Sequence, residues 1–164
     1  MPEYDRRAAV EYARRWALGR NPAYMSLNGI GGDCTNFCSQ CLYAGGCVMN
    51  YTPDFGWYYR SPEDRAAAWT GVTYLYEFLV GHNGPGPLAE EVFPEQTQPG
   101  DVIQLGRADG RWYHSMVVLH NDRRWGWDGI RIAAHSIDSL DRPLSSYEFD
   151  RARGLHIVTT NTQA

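Results

Sequence analysis

The stretch Gly31-Gly32-Asp33-Cys34-Thr35-Asn36-Phe37-Cys38-Ser39-Gln40-Cys41 decides how the rest of this chain is read. A glycine pair precedes a residue that caps helices well, and Gly45-Gly46 follows as a stop. A helix is therefore expected over 34–44, with Asp33 as its N-cap. Cys34, Cys38 and Cys41 recur at i, i+4 and i+7, along one helix face. Cys47 completes the set, so all four cysteines lie between residues 34 and 47. A secreted disulfide framework would spread its cysteines, so the crowding argues for free thiols.

Three chemistries compete for these thiols. Free cysteine packs as a small hydrophobe, and Cys38, Cys41 and Cys47 read as core. The spacing Cys34-x3-Cys38-x2-Cys41 is also that of iron–sulfur enzymes that use S-adenosylmethionine. Those motifs sit in irregular loops of larger α/β barrels, whereas this one is capped as a helix. Structural zinc is disfavoured because no second Cys or His pair lies at ligand spacing. The third chemistry is nucleophilic, and it singles out Cys34. The first turn of a helix offers unpaired N–H groups and a positive dipole end, both of which favour a thiolate.

Outward from this segment, a first helix is expected over 4–18, stopped by Gly19 and Asn21-Pro22. Residues 47–60 read as an aromatic loop. A third helix is expected to open at Ser61-Pro62-Glu63-Asp64 and run to about Val80. Gly81 to Pro87 is a glycine- and proline-rich break. Strands are then expected at Asp101–Leu105, Trp112–His120, Ile130–Ile137 and Gly154–Thr160. Helices first and strands last imply an α+β fold with an antiparallel sheet, in one domain over 1–164.

Composition narrows the function. The chain has 164 residues, 43% hydrophobic and 21% charged, with a net charge of −4. A weakly acidic chain lacks the basic footprint of nucleic-acid binders. All 15 basic residues are Arg, which excludes a catalytic Lys and a phosphate-loop Lys. No apolar run is long enough for a membrane span, and the polar start Met1 to Arg7 has no signal-peptide character, so a cytoplasmic location is expected, with export by a route that needs no signal as the alternative.

A nucleophilic cysteine needs a base. The strand 112–120 supplies His114, and the next strand supplies His135 about where a hairpin partner would lie. A Cys at a helix start, a His on a sheet and a third polar group make the constellation of acyl transfer. The remaining histidines, His82, His120 and His156, read as surface or hydrogen-bonded residues. The aromatic residues of 51–59, with Trp112, Trp125 and Trp127, are candidates for a groove wall or for core.

At these residues the sequence resembles a known family, the putative amidase domain, a branch of the papain-like cysteine peptidases and amidases related to NlpC-type and CHAP cell-wall hydrolases. The resemblance rests on Gly31 to Phe37 with Ser39-Gln40-Cys41-Leu42 and Ala44-Gly45-Gly46. It extends to Tyr4 to Tyr24, to Gly100-Asp101-Val102-Ile103 before Tyr113-His114-Ser115, and to Ala134-His135-Ser136 with Asp138 and Arg142-Pro143-Leu144. It implies a papain-like fold with N-terminal helices packed on a C-terminal antiparallel sheet. It implies Cys34 as nucleophile, His114 as general base and acid, and His135, ahead of Asp138, as the residue that orients His114. Asn28 is an upstream amide that could donate to an oxyanion, though its glycine-rich loop favours a turn role. Cys38 stands where the family would place an aliphatic residue. The expected substrate is a peptide or amide, cell-wall peptides first, with no cofactor or metal. A binding module on the same fold is the alternative, favoured if Cys34 and His114 stand apart.

Overall fold

Helices come first and strands last in a computed structural model, which describes residues 3–163; Met1 and Pro2 of the polar start, and Ala164, lie outside it. Helix α1 (Arg6–Trp16) is capped by Asp5, whose carboxylate accepts from the Ala8 N–H at 2.9 Å. Helix α2 (Asp33–Ala44) ends at Gly45. A short hairpin of β1 (Tyr59–Ser61) and β2 (Asp64–Arg65) leads to α3 (Ala67–Thr70) and α4 (Val72–Gly81). Six strands follow: β3 (Leu88–Val92), β4 (Val102–Gly106), β5 (Trp112–Asn121), β6 (Ile130–Ala134), β7 (Ser139–Pro143) and β8 (Arg151–Thr159). They form one antiparallel sheet in the order β3-β8-β4-β5-β6-β7. The fold is α+β, as the element order implies.

Both faces of the central strands are buried. Val102, Val117, Leu119, Ala133 and Leu155 face the helices and pack with Phe37, Cys38, Leu42, Trp69 and Leu75. Ile103, Leu105, Met116, Val118, Ile130 and Ile132 alternate with them and face the other way. Leu144, Trp127, Tyr147 and Phe149 cover that far side. Helix α2 is buried from Asp33 to Leu42, so its polar side chains all need partners. Asn36 donates to the Met25 carbonyl and accepts from Trp69 Nε1, each at 3.0 Å. Ser39 donates to the Trp69 carbonyl at 2.9 Å and accepts from Trp57 Nε1 at 3.0 Å. Tyr12 donates to Gln40 Oε1 at 2.5 Å. These bonds tie α2 to α1 and to the 57–69 segment while its apolar face lies on the sheet.

Three expectations change. The N-cap of α2 is Gly32, at φ 91°, and Asp33 is the first helical residue. The single helix expected from Ser61 is a hairpin and two helices. Ser61 Oγ accepts from the Asp64 N–H at 3.1 Å, the contact an N-cap makes, but here it closes the β1–β2 turn. Gly71, at φ −108° and ψ 128°, then separates α3 from α4. The sheet also gains β3 and β7, its two outer strands, and β6 stops at Ala134 because Ser136 turns with φ 81°.

Candidate active site

The site is built on the start of α2. A left-handed φ at Gly32 suits glycine, and a Cβ there would meet the Thr70 carbonyl at 2.8 Å. This close approach sets the helix start against the end of α3, with Cys34 in the first turn. Cys34 is 4% exposed. It lies on the wall of an open cleft of about 400 Å³ that Gly32, Thr70, Tyr74, Arg111, Trp112 and Tyr113 also line. Burial pushes its thiol up, while the Ser115 and Thr35 N–H groups and the Thr35 hydroxyl act in the opposite direction. Cys38, Cys41 and Cys47 are core thiols, pushed well up by burial. Cys34 thus differs from them in having donors on a neighbouring strand as well as on its own helix.

Asp33 lies at the centre of a buried polar cluster. Its carboxylate accepts from the Leu27 N–H at 2.9 Å and from Asn36 Nδ2 at 3.2 Å. Arg20 Nε stands 3.2 Å away, and His135 Nδ1 donates to it at 2.8 Å. Burial opposes ionisation, but the bonds from His135, Leu27 and Asn36 outweigh it and hold the carboxyl at about 2. Arg20 also makes a two-pronged pair with Asp138, at 2.9 Å on each side. Residues 17–32 are thereby fixed between α1, α2 and the turn after β6.

The expected triad is not assembled in this arrangement. His135 is 1% exposed and stacks on Phe37 with ring centroids 4.1 Å apart. Its Nδ1 faces Asp33, and its Nε2 lies 2.7 Å from the Trp16 carbonyl. Nε2 also stands 3.3 Å from Arg20 Nη1, so both nitrogens are occupied by Asp33, Trp16 and Arg20, and neither orients His114. The reason is local: Asp33, expected as a cap, is turned inward and takes the imidazole. His114 is separated from Cys34 by strand parity. Ser115 faces α2, with its Oγ 3.0 Å from Thr35 Oγ1, so the residue before it faces the far side. There the His114 ring lies 5.6 Å from Tyr147, its Nε2 is buried without a partner, and Tyr147 Oη is likewise unpartnered. Burial, with Arg142 nearby, lowers His114 to about 4. Asn28 is exposed in the turn after Leu27 and is not among the residues that line the cleft.

Sequence reasoning missed Thr35, Gln104 and Ser115, which carry the polar side of the Cys34 environment. One signal was present: Gln104 interrupts the apolar run Val102-Ile103-Gln104-Leu105, and a buried amide in a strand needs a built partner. Arg20 had no such signal. Of the aromatic candidates, Trp57 is core, Trp112 lines the cleft, Trp127 packs on the far side of the sheet, and Phe55 and Trp125 are exposed. Among the described residues, no three His, Cys, Asp or Glu side chains form a metal-binding group. No helix among them is long and apolar enough to cross a membrane.

Comparison with known proteins gives two matches. The family described as "Putative amidase domain" matches residues 3–158. The "Uncharacterized protein YhbB" of Bacillus subtilis (strain 168) is 36% identical over 125 residues, covering 74% of this chain and 39% of its own length. The chain thus spans about two fifths of the curated relative it matches. No solved structure matches it.

Proposed function

Because the chain belongs to the putative amidase domain family, we propose that it is a cysteine-dependent hydrolase of amide or peptide bonds, papain-like in its chemistry and related to the NlpC-type and CHAP enzymes. The observation that carries this reading is the seat of Cys34: the first turn of α2, beside an open cleft, with N–H donors from Thr35 and Ser115. The Cys34 thiolate attacks the carbonyl carbon of the substrate. The oxyanion takes hydrogen bonds from backbone N–H groups at the helix start. Collapse expels the amine, which leaves with a proton, and water then cleaves the thioester to release the acid and restore the thiol.

His114 is the proton carrier in this proposal. Its ring must then leave the far face, and β5 has a place for that change. Leu105 pairs with His114 and Gly106 with Trp112, so Tyr113 is an extra residue next to His114. Such bulges re-aim neighbouring side chains. His135 acts as a positioning residue that holds Asp33 and with it the start of α2. Peptides of the cell wall are the first substrates to try, on the resemblance alone.

The test is peptide hydrolysis with mass-spectrometric detection of an acyl group on Cys34. Cys34→Ala is expected to abolish both, and His114→Ala to lower kcat by about 10²- to 10⁴-fold. Hydrolysis that persists in Cys34→Ala overturns the reading. The position of His114 across the strand favours a second reading, a binding module on the same fold. A wild-type chain that binds peptide in the cleft and neither cleaves it nor acylates Cys34 would establish that one.

A further inference from the structure

A buried row of polar groups runs from Arg153 to Cys34, and the guanidinium at one end sets the orientation of the Gln104 amide beside it. Arg153 donates from Nε and Nη2 to Gln104 Oε1 at 3.0 and 2.7 Å. A guanidinium can only donate, so the amide oxygen of Gln104 must face it. The amide nitrogen then points the other way, donating to the Val72 carbonyl at 2.9 Å and to Ser115 Oγ at 3.2 Å. Ser115 Oγ accepts that bond and lies 3.0 Å from Thr35 Oγ1, a contact in which either hydroxyl can donate. Thr35 Oγ1 in turn lies 3.8 Å from Cys34 Sγ, within reach of the sulfur as donor or acceptor. Thr35, Gln104 and Ser115 are 0% exposed and Arg153 is 8% exposed. Arg153 is clamped between Tyr76 and Trp112, whose ring centroids lie 3.5 and 3.9 Å from its guanidinium carbon.

We propose that Arg153, Gln104, Ser115 and Thr35 are positioning residues that form a one-way hydrogen-bond relay, delivering a donor to Cys34 Sγ and favouring its thiolate. The row starts at a cation, which burial lowers to about 10, and ends at the sulfur, so below that pH ionisation of Cys34 strengthens each bond along it. This polarity distinguishes Cys34 from the core thiols one and two turns further along α2. The inference rests on the reading of Cys34 as nucleophile, because a relay to a sulfur serves chemistry at that sulfur. The other charged or titratable side chains around Cys34 are Asp33 and Cys38 on α2, with Tyr74, Arg111 and Tyr113 across the cleft. They stay constant in every variant below.

The experiment is site-resolved alkylation of the four cysteines by iodoacetamide across pH, read by mass spectrometry on the full chain. Thr35→Val keeps the shape and removes the last donor. It is expected to lower the Cys34 rate about tenfold at a pH below the midpoint, a shift of about one pH unit. Thr35→Ser is expected to restore the wild-type profile. Gln104→Glu keeps a partner for Arg153 but can only accept from Ser115, so the row reverses and the Cys34 midpoint rises. If Thr35→Val unfolds the chain, all four cysteines label together, and Ser115→Ala with Gln104→Glu then carries the test. Midpoints that stay within about 0.2 pH unit of wild type in folded variants overturn the relay. The labelling readout needs no substrate, so hydrolysis that survives Cys34→Ala would sink the catalytic reading and leave the relay result intact.

Discussion

The two faces of strands β4 and β5 treat polar groups in opposite ways. On the helix side, Gln104 and Ser115 are fully buried and every side-chain polar atom has a partner. On the far side, His114 Nε2 and Tyr147 Oη each lack one, with the two rings 5.6 Å apart. A partnered buried polar group costs little, whereas an orphaned one costs about 1–3 kcal/mol. The helix side is therefore a built site, and the far side holds two unpartnered polar atoms beside an apolar layer. Proximity to Cys34 in sequence motifs does not predict this division, and proximity across the sheet does.

The largest expected effect that sharpens this contrast is at Asp33. Asp33→Ala leaves Arg20 and His135 beside a lost carboxylate in a buried setting. A fall of about 3–5 kcal/mol in unfolding free energy is expected, read by urea denaturation. A loss under about 1 kcal/mol would mean that the cluster is far less buried in solution than it is here.

The far face is probed by acid. Burial lowers His114 to about 4 from its usual 6.5, so the unfolded chain binds that proton first as pH falls. The His114 contribution is intact above pH 6.5, declines between 6.5 and 4, and is gone below 4, with a slope of up to about 1.4 kcal/mol per pH unit. His114→Gln should flatten that part of the stability curve. An unchanged curve would place His114 in water rather than under Tyr147.

The smallest expected effect is on the surface. Arg14 reaches Asp141 at 2.9 Å, with both side chains about half exposed. Arg14→Ala should cost no more than about 1 kcal/mol and leave Cys34 labelling unchanged. A larger loss would show that α1 and the outer strand β7 are coupled more tightly than an exposed pair allows.

Helix α2 was legible from sequence because its glycine boundaries are sharp and its apolar spacing is helical. The inner strands were legible from their continuous β-branched runs. The outer strands β3 and β7 were not, since an edge strand meets solvent and carries residues such as Glu90, Glu91, Asp141 and Arg142. The site was half legible. The composition of the motif pointed to Cys34, but the pairing with His114 depended on which parity of β5 faces the helices. Residues 114, 116 and 118 and residues 115, 117 and 119 are both mostly apolar and, half-buried His114 apart, all buried, so period two carries no sign of direction there. Asp33 carried the composition of a cap and took a different task, because Gly32 already supplies the turn.

One feature of the sheet bears on how the chain comes to be folded. Strand β8 lies between β3 and β4 and is the seam that joins β3 to the other strands. During synthesis β4 and β5 can pair as a hairpin, while β3 must wait with an open edge for residues 151–159 to emerge. The nascent chain therefore passes through a stage with two unsatisfied strand edges, the state most prone to pairing with a neighbour. Closure of the sheet is then a late, long-range event, and the Gln104–Arg153 bond of the site forms in the same step.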